Sequence, residues 1–202
     1  MPADTAVLHF GSVASWTPPG SDHIHTAVQR LRAQGTALIS YDPNIRPALL
    51  GDAAGARHAV ERSVGVSHIV KASREDAEWL YPGTGIERIA ARWIVLGALL
   101  VVVTDGAAGA HAFHTSGGGF SRPGRKAAVV DTVRAGDAFT AGLLGALLRS
   151  ELYTPQTLAA AATAVLATAV DDAVLVSALT CERMGADPPT ALPRPHQPAH
   201  AP

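Results

Sequence analysis

The residues best suited to chemistry in this sequence are Asp131-Thr132-Val133-Arg134-Ala135-Gly136-Asp137-Ala138-Phe139, where an acidic residue directly follows a small-residue pair. The β-rich run Ala127–Val130 leads into the segment, and the apolar helical pattern Asp137–Arg149 follows it. Backbone N–H groups at a helix start have no intrahelical partner and sit at the positive end of the helix dipole, so they favour an anion. Ala135 and Gly136 are small enough for a phosphate to approach the backbone. Asp137 falls in the first turn, where it either caps the helix or faces a bound ligand; residue type alone leaves both readings open.

Three other segments carry groups of the same kind. Asp42-Pro43-Asn44-Ile45-Arg46-Pro47 leaves a strand-like run at its C-terminal end, where open α/β sheets collect ligands, although Asp-Pro-Asn is also an ordinary turn. Lys71-Ala72-Ser73-Arg74-Glu75-Asp76 offers oxygen ligands suited to Mg²⁺, and equally a helix cap with Ser73 at the N-cap and Asp76 three residues on. Thr104-Asp105-Gly106-Ala107-Ala108-Gly109 is a glycine-opened turn able to contact phosphate or ribose, a spacing any Gly-rich β-turn also gives. His23/His25 and His111/His114 have no carboxylate or cysteine at a zinc spacing and read as surface histidines. Neither a phosphate-binding Gly-x-x-x-x-Gly-Lys-Ser/Thr loop nor a Gly-x-Ser-x-Gly elbow occurs.

The elements that must position these groups alternate in period, the pattern of strands and crossover helices in a mainly parallel sheet. Strand-length runs are Ala6–Phe10, Thr36–Tyr41, His68–Val70, Leu99–Thr104, Ala110–Phe113 and Ala127–Val130. Helical patterns cover His23–Gln34, Asp52–Ser63, Arg74–Leu80, Ile86–Leu96, Asp137–Arg149 and Pro155–Leu179, with Gly35, Gly51 and Gly97 at expected stops. A hairpin over Val101–Phe113 would leave the parallel order. The Ala-rich run Leu158–Val170, ended by Asp171 and Asp172, is too short to span a bilayer and reads as a buried helix. Trp16, Trp79 and Trp93 read as core or interface residues.

Lys plus Arg at 16 against Asp plus Glu at 17 gives a net charge of −1, which leaves no electrostatic footprint for nucleic acid or an anionic membrane. Met1–Val7 lacks the basic and apolar regions of a signal peptide, and the single Cys181 excludes an internal disulfide and suits a reducing cytoplasm. After Gly185 the chain turns Pro-rich; residues 190–202 read as a disordered tail behind one domain over 1–189.

The segment Asp131–Asp137 resembles the signature of PfkB/ribokinase-type carbohydrate kinases, Asp-Thr-x-Gly-Ala-Gly-Asp, and the resemblance runs from about Leu8 to Pro189. It implies a three-layer, Rossmann-like ribokinase fold and transfer of phosphate from ATP to a sugar hydroxyl, with Mg²⁺ as the metal. By position, Asp137 becomes the general base, the amides of Ala135 and Gly136 line the anion hole, and Arg134 stands at its first position. Asp42–Pro47 is similar to the Asp-Pro-Asn-x-Arg-Pro segment of fructokinase-like members, which puts Asn44 and Arg46 on the substrate side and leans toward a ketose or an aldonate. Lys71, Ser73 and Asp76 resemble the Asn-x-x-Glu element that organises Mg²⁺ and its waters, with Asp76 reaching the metal through water. Thr104, Gly106, Gly109, Asp131 and Thr132 are implied nucleotide contacts, and Ser177–Ala186 resembles the helix end beside the adenine.

Two departures qualify the implied activity. Arg134 replaces the first glycine of the triplet, so a position needing positive φ would be strained, or the guanidinium would serve phosphate as a mobile cation. The resemblance also begins in mid-family: no residues match the early strands, the β lid and the Gly-Gly segment that grip the sugar. The expectation is a nucleotide-binding C-terminal part with impaired turnover in this length, or else a non-catalytic nucleotide- or partner-binding remnant. Sugar and ATP are the implied partners, with a homodimer allowed.

Overall fold

The computed structural model describes residues 5–132 and 134–185. Strands β1 (Val7–Gly11), β2 (Leu38–Asp42), β3 (Ile69–Ser73), β4 (Leu100–Thr104), β5 (Gly109–His114) and β6 (Gly119–Pro123) form one sheet in chain order. The first four are parallel, and β4–β5–β6 are antiparallel, as the 101–113 hairpin requires. Parallel strands laid down in one direction, with crossovers of one hand, put their connecting helices on the same face. These are α2 (Gly20–Gln34), α4 (Ala53–Val64), α5 (Arg74–Leu80) and α6 (Ile86–Leu96); two short turns of helix, α1 (Val13–Trp16) and α3 (Pro47–Leu50), precede α2 and α4. Their core joins Val28, Leu31, Val60, Leu80, Ile89 and Trp93 to Ile39, Tyr41, Val70 and Val101.

The opposite face is covered after the sheet is complete by α7 (Ala135–Arg149), α8 (Pro155–Ala159) and α9 (Thr163–Cys181). Phe139, Leu143, Leu147, Leu166 and Val170 pack there on Leu38, Ile69, Leu100 and Val102. Helices on both faces make three layers. The central strands are buried on both sides, so β4 reads as an unbroken apolar run rather than an alternating one. Strand alternation turns Leu38, Ser40 and Asp42, and likewise Ile69 and Lys71, to the α7 side. The sheet thus becomes polar under the start of α7.

Three expectations fail locally. Residues 127–130 form no strand: Val129 and Val130 are exposed, and the N–H groups of Val130 and Asp131 donate to the Cys181 carbonyl at 2.8 and 3.1 Å. The sixth strand is instead β6, an edge strand whose single large apolar side chain, Phe120, gives periodicity almost nothing to register. The Pro155–Leu179 helix is two helices. His114 Nε2 donates to the Leu158 carbonyl at 2.9 Å, in place of the next rung of the helical ladder, and Ala162 is extended before α9. His114 is therefore a buried strut between β5 and α8, not a surface histidine. Asp171 and Asp172 lie inside α9, paired with Arg122 and Arg149, although α9 by length and composition alone could cross a membrane. The residue 190–202 tail lies outside the described residues.

Candidate active site

Two cavities meet at the start of α7. The smaller, about 490 Å³, is lined by Asp42, Asn44, Arg46, Lys71, Thr132, Arg134, Gly136 and Asp137. The larger, about 800 Å³, is bounded by Thr104, Gly106, Gly109, Arg125 and Lys126 at one end. Phe139, Val174, Ser177, Ala178 and Cys181 form its other wall. Thr132 and Gly136 line both.

The smaller cavity has a charged floor. Lys71 reaches across from β3 to Asp42 on β2, with Nζ 2.9 Å from Oδ2 and both side chains below a tenth exposed. The same Nζ lies 2.9 Å from the point where a Cβ on Gly136 would sit, so a side chain there would collide with the ammonium. Asp42 Oδ1 accepts the Asn44 N–H at 2.9 Å, folding Asp42–Asn44 into an Asx turn with Asn44 at φ 42°. This turn carries Asn44 and Arg46 to the rim.

Helix α7 begins at Ala135, so Asp137 is its third residue, and the Asp137 carboxylate is exposed on the smaller-cavity side. No side chain caps this helix. Ala135 donates its N–H to the Thr132 carbonyl at 3.1 Å, so one of the two amides expected to line the anion hole is already engaged within the turn. Arg134 sits at φ 65°, ψ 13°, the left-handed conformation a glycine would take without cost. Arg134 lines the smaller cavity and not the larger one.

The larger cavity depends on two backbone segments pressed together. A Cβ on Gly109, at φ 109°, would lie 2.1 Å from the Arg122 carbonyl, and one on Gly124 would lie 2.1 Å from that of Ala107. Only glycine lets the 105–109 turn close on the 122–124 loop. From the other side, Ser177 Oγ donates to the Ala135 carbonyl at 3.0 Å and fixes α9 against the start of α7.

A model of the pfkB family of carbohydrate kinases matches residues 3–192. The chain belongs to that family. A fructokinase of Rhizobium leguminosarum bv. trifolii is 36% identical over 156 residues, 77% of this chain and 47% of the relative. One from Vibrio alginolyticus is 34% identical over 146 residues, 70% and 46% of the two chains. The chain thus spans about half the length of the relatives it matches. The ATP-bound fructokinase of Xylella fastidiosa superposes with a TM-score of 0.81 at 23% identity, covering 90% of this chain and 56% of that one, a likeness of fold. The fructokinase of Vibrio cholerae O395, solved with fructose, ADP and calcium, gives 0.74 at 29% identity, covering 89% and 56%.

Within the pfkB fold the sequence-derived site residues divide into four groups. Asn44, Arg46, Lys71, Arg134 and Asp137 line the smaller cavity; Thr104, Gly106, Gly109 and Ala135 line the larger; Thr132 and Gly136 join them. Ser73, Asp76 and Asp131 line neither. Ser73 and Asp76 form a reciprocal capping box on α5, Ser73 Oγ accepting from Asp76 N–H at 3.0 Å and Asp76 Oδ2 from Ser73 N–H at 3.3 Å. Asp76 Oδ1 accepts the Ile45 N–H at 3.0 Å, tying the Asn44–Arg46 turn to α5, and burial raises the Asp76 pKa against these hydrogen bonds. Asp131 Oδ2 accepts the Gly185 N–H at 3.1 Å and joins the signature loop to the chain beyond α9. Sequence reading gave no separate role to Asp42, Arg125, Lys126 or Phe139. For Asp42 the available signal is a lysine inside the apolar run Ile69–Ala72, since a buried ammonium requires an anion nearby.

Proposed function

We propose that the chain carries the phosphoryl-transfer machinery of an ATP-dependent sugar kinase, acting on a hydroxyl of a fructose-like sugar. The observation that carries this reading is the junction of the two cavities at Thr132 and Gly136, with Asp137 on one side only. ATP fits the larger cavity. Its base packs between Phe139, Val174, Ala178 and Cys181, and its phosphates run past Thr104 and Gly106 toward Gly136, with Arg125 and Lys126 along the way. The sugar occupies the smaller cavity beside Asn44 and Arg46.

Phosphoryl transfer asks mainly for positioning and charge neutralisation, plus a base for the hydroxyl proton. The Asp137 carboxylate takes that proton as the sugar oxygen bonds to the γ-phosphorus and the bond to the ADP oxygen breaks. The Gly136 N–H and the Lys71 ammonium beneath it face the developing negative charge, while Asp42 holds the ammonium in place. Mg²⁺ supplies charge neutralisation on the nucleotide phosphates when bound. Asp76 lines neither cavity and its oxygens accept backbone N–H groups, so it would meet the metal through water. The lone, half-buried Cys181 suits a reducing cytoplasm.

Calorimetry with Mg·ATP tests the nucleotide half. Binding is expected to raise the melting temperature, with a stabilisation of about 2.7 kcal/mol at a hundredfold excess over Kd. Gly109→Val, which cannot keep the turn closed, should lose the effect while the rest of the sheet stays folded. Folded protein that fails to bind millimolar Mg·ATP would overturn the reading.

A further inference from the structure

The charge around the smaller cavity indicates what kind of acceptor it takes, an inference that rests on the kinase reading above. At the floor, the charges of Lys71 and Asp42 balance one another. Of the remaining ionised groups lining the cavity, Arg46 and Arg134 are cationic and only Asp137 is anionic. Both arginines are exposed, and among the described residues neither stands in an ion pair. Arg46 is anchored by a bond from its guanidinium to the Ile45 carbonyl at 3.0 Å, which leaves its other donors free to reach a ligand. Arg134 holds a left-handed backbone position that disfavours any side chain, and it lines this cavity and not the larger one.

A neutral ketohexose offers such a pair of guanidinium groups only hydroxyls, whereas a carboxylate or phosphate accepts two parallel hydrogen bonds from each fork. We infer that the acceptor is an anionic sugar, a sugar acid or a sugar phosphate, whose charged end is held by Arg46 and Arg134 while a hydroxyl faces Asp137. Arg134 is on this account a specificity-determining residue rather than a damaged glycine of the anion hole.

The test is titration calorimetry on the intact chain, saturated with a non-hydrolysable ATP analogue and Mg²⁺, using fructose, gluconate and fructose 6-phosphate as probes. The expected result is that gluconate or fructose 6-phosphate binds roughly tenfold or more tighter than fructose, the size of a charge-assisted contact. Which of the two binds separates carboxylate from phosphate recognition. Arg134→Gly should abolish the preference and Arg134→Lys should restore part of it, which a change in folding alone would not do. Equal binding of all three probes, no binding of either anion, or an Arg134→Gly variant that weakens only the ATP analogue would each overturn the inference. Failure to bind the ATP analogue at all strikes instead at the kinase reading.

Discussion

Lys71 and Asp42 stand on neighbouring strands with side chains 6% and 8% exposed, so each charge depends on the other. Removing one partner leaves an uncompensated buried charge, typically a loss of about 3–5 kcal/mol, whereas removing both is far milder. Lys71→Met and Asp42→Asn should each lower the urea midpoint strongly, and the double variant should fall well short of the summed losses. Simple additivity would show that the ion pair is not what holds the floor of the site. Arg134 makes the opposite kind of prediction. A non-glycine residue at φ 65° costs about 1–2 kcal/mol relative to a residue at ease there, so Arg134→Gly should raise the unfolding free energy by about 1 kcal/mol. Thermal denaturation of the variant without ligand measures this. The strain persists in the native chain, which fits a side chain retained for what it binds.

At the scale of elements, α7 and α9 make the site's back wall, and their closeness is set by Gly142. A Cβ there would lie 2.9 Å from the Ala173 Cα and 3.1 Å from the Val176 Cβ, whereas one on Gly145 would meet only the mobile end of Arg149 at 3.3 Å. Gly142→Val should destabilise by about 1–3 kcal/mol through overpacking. It should also weaken Mg·ATP binding, because Val174, Ser177 and Ala178 on α9 line the larger cavity. Gly145→Ala should be neutral or stabilising by up to about 1 kcal/mol from helix propensity. Equal effects of the two substitutions on melting temperature and ATP affinity would rule out the proposed helix contact. The same elements show what periodicity can and cannot reveal. Strands β1 to β5 and helices α2, α4, α5, α6 and α7 were legible because each carries a long apolar pattern and an end signal, such as Gly35 at φ 70° or the Ser73–Asp76 box. The exposed edge strand β6 was not, because it has almost no core-facing residues. The break before α9 was not, because alanine-rich sequence favours continuous helix and a tertiary bond from His114 overrides it. At the site, the signature and the Asp42–Arg46 turn were readable as linear patterns. The Lys71–Asp42 pair and the closure of Gly109 on Arg122 come from strand neighbours, and strand order is not written in local spacing.

For the molecule as a whole, resistance to acid should be governed by His68. It is buried at the start of the central sheet, where its Nδ1 accepts the Ile39 N–H at 3.1 Å. Burial first, and Arg32 second, push its pKa down from 6.5 to about 4. The unfolded chain therefore takes up a proton below pH 6.5 that the folded protein refuses, and the unfolded state binding more protons means stability falls as pH falls. The contribution is fully present above pH 6.5 and is withdrawn progressively down to about pH 4, in total on the order of 3 kcal/mol. His9 and His25, also lowered by burial, act with the same sign. Asp76 acts with the opposite sign, since its raised pKa lets the folded state hold a proton more readily than the unfolded chain, but only toward the acid end of this range. Urea midpoints should hold between pH 7.5 and about 6.5 and decline from there to pH 4.5, while His68→Asn, whose Oδ1 can accept the Ile39 N–H without titrating, should flatten the decline. A decline of the same steepness in the asparagine variant would move the acid sensitivity away from the sheet and onto the more exposed histidines.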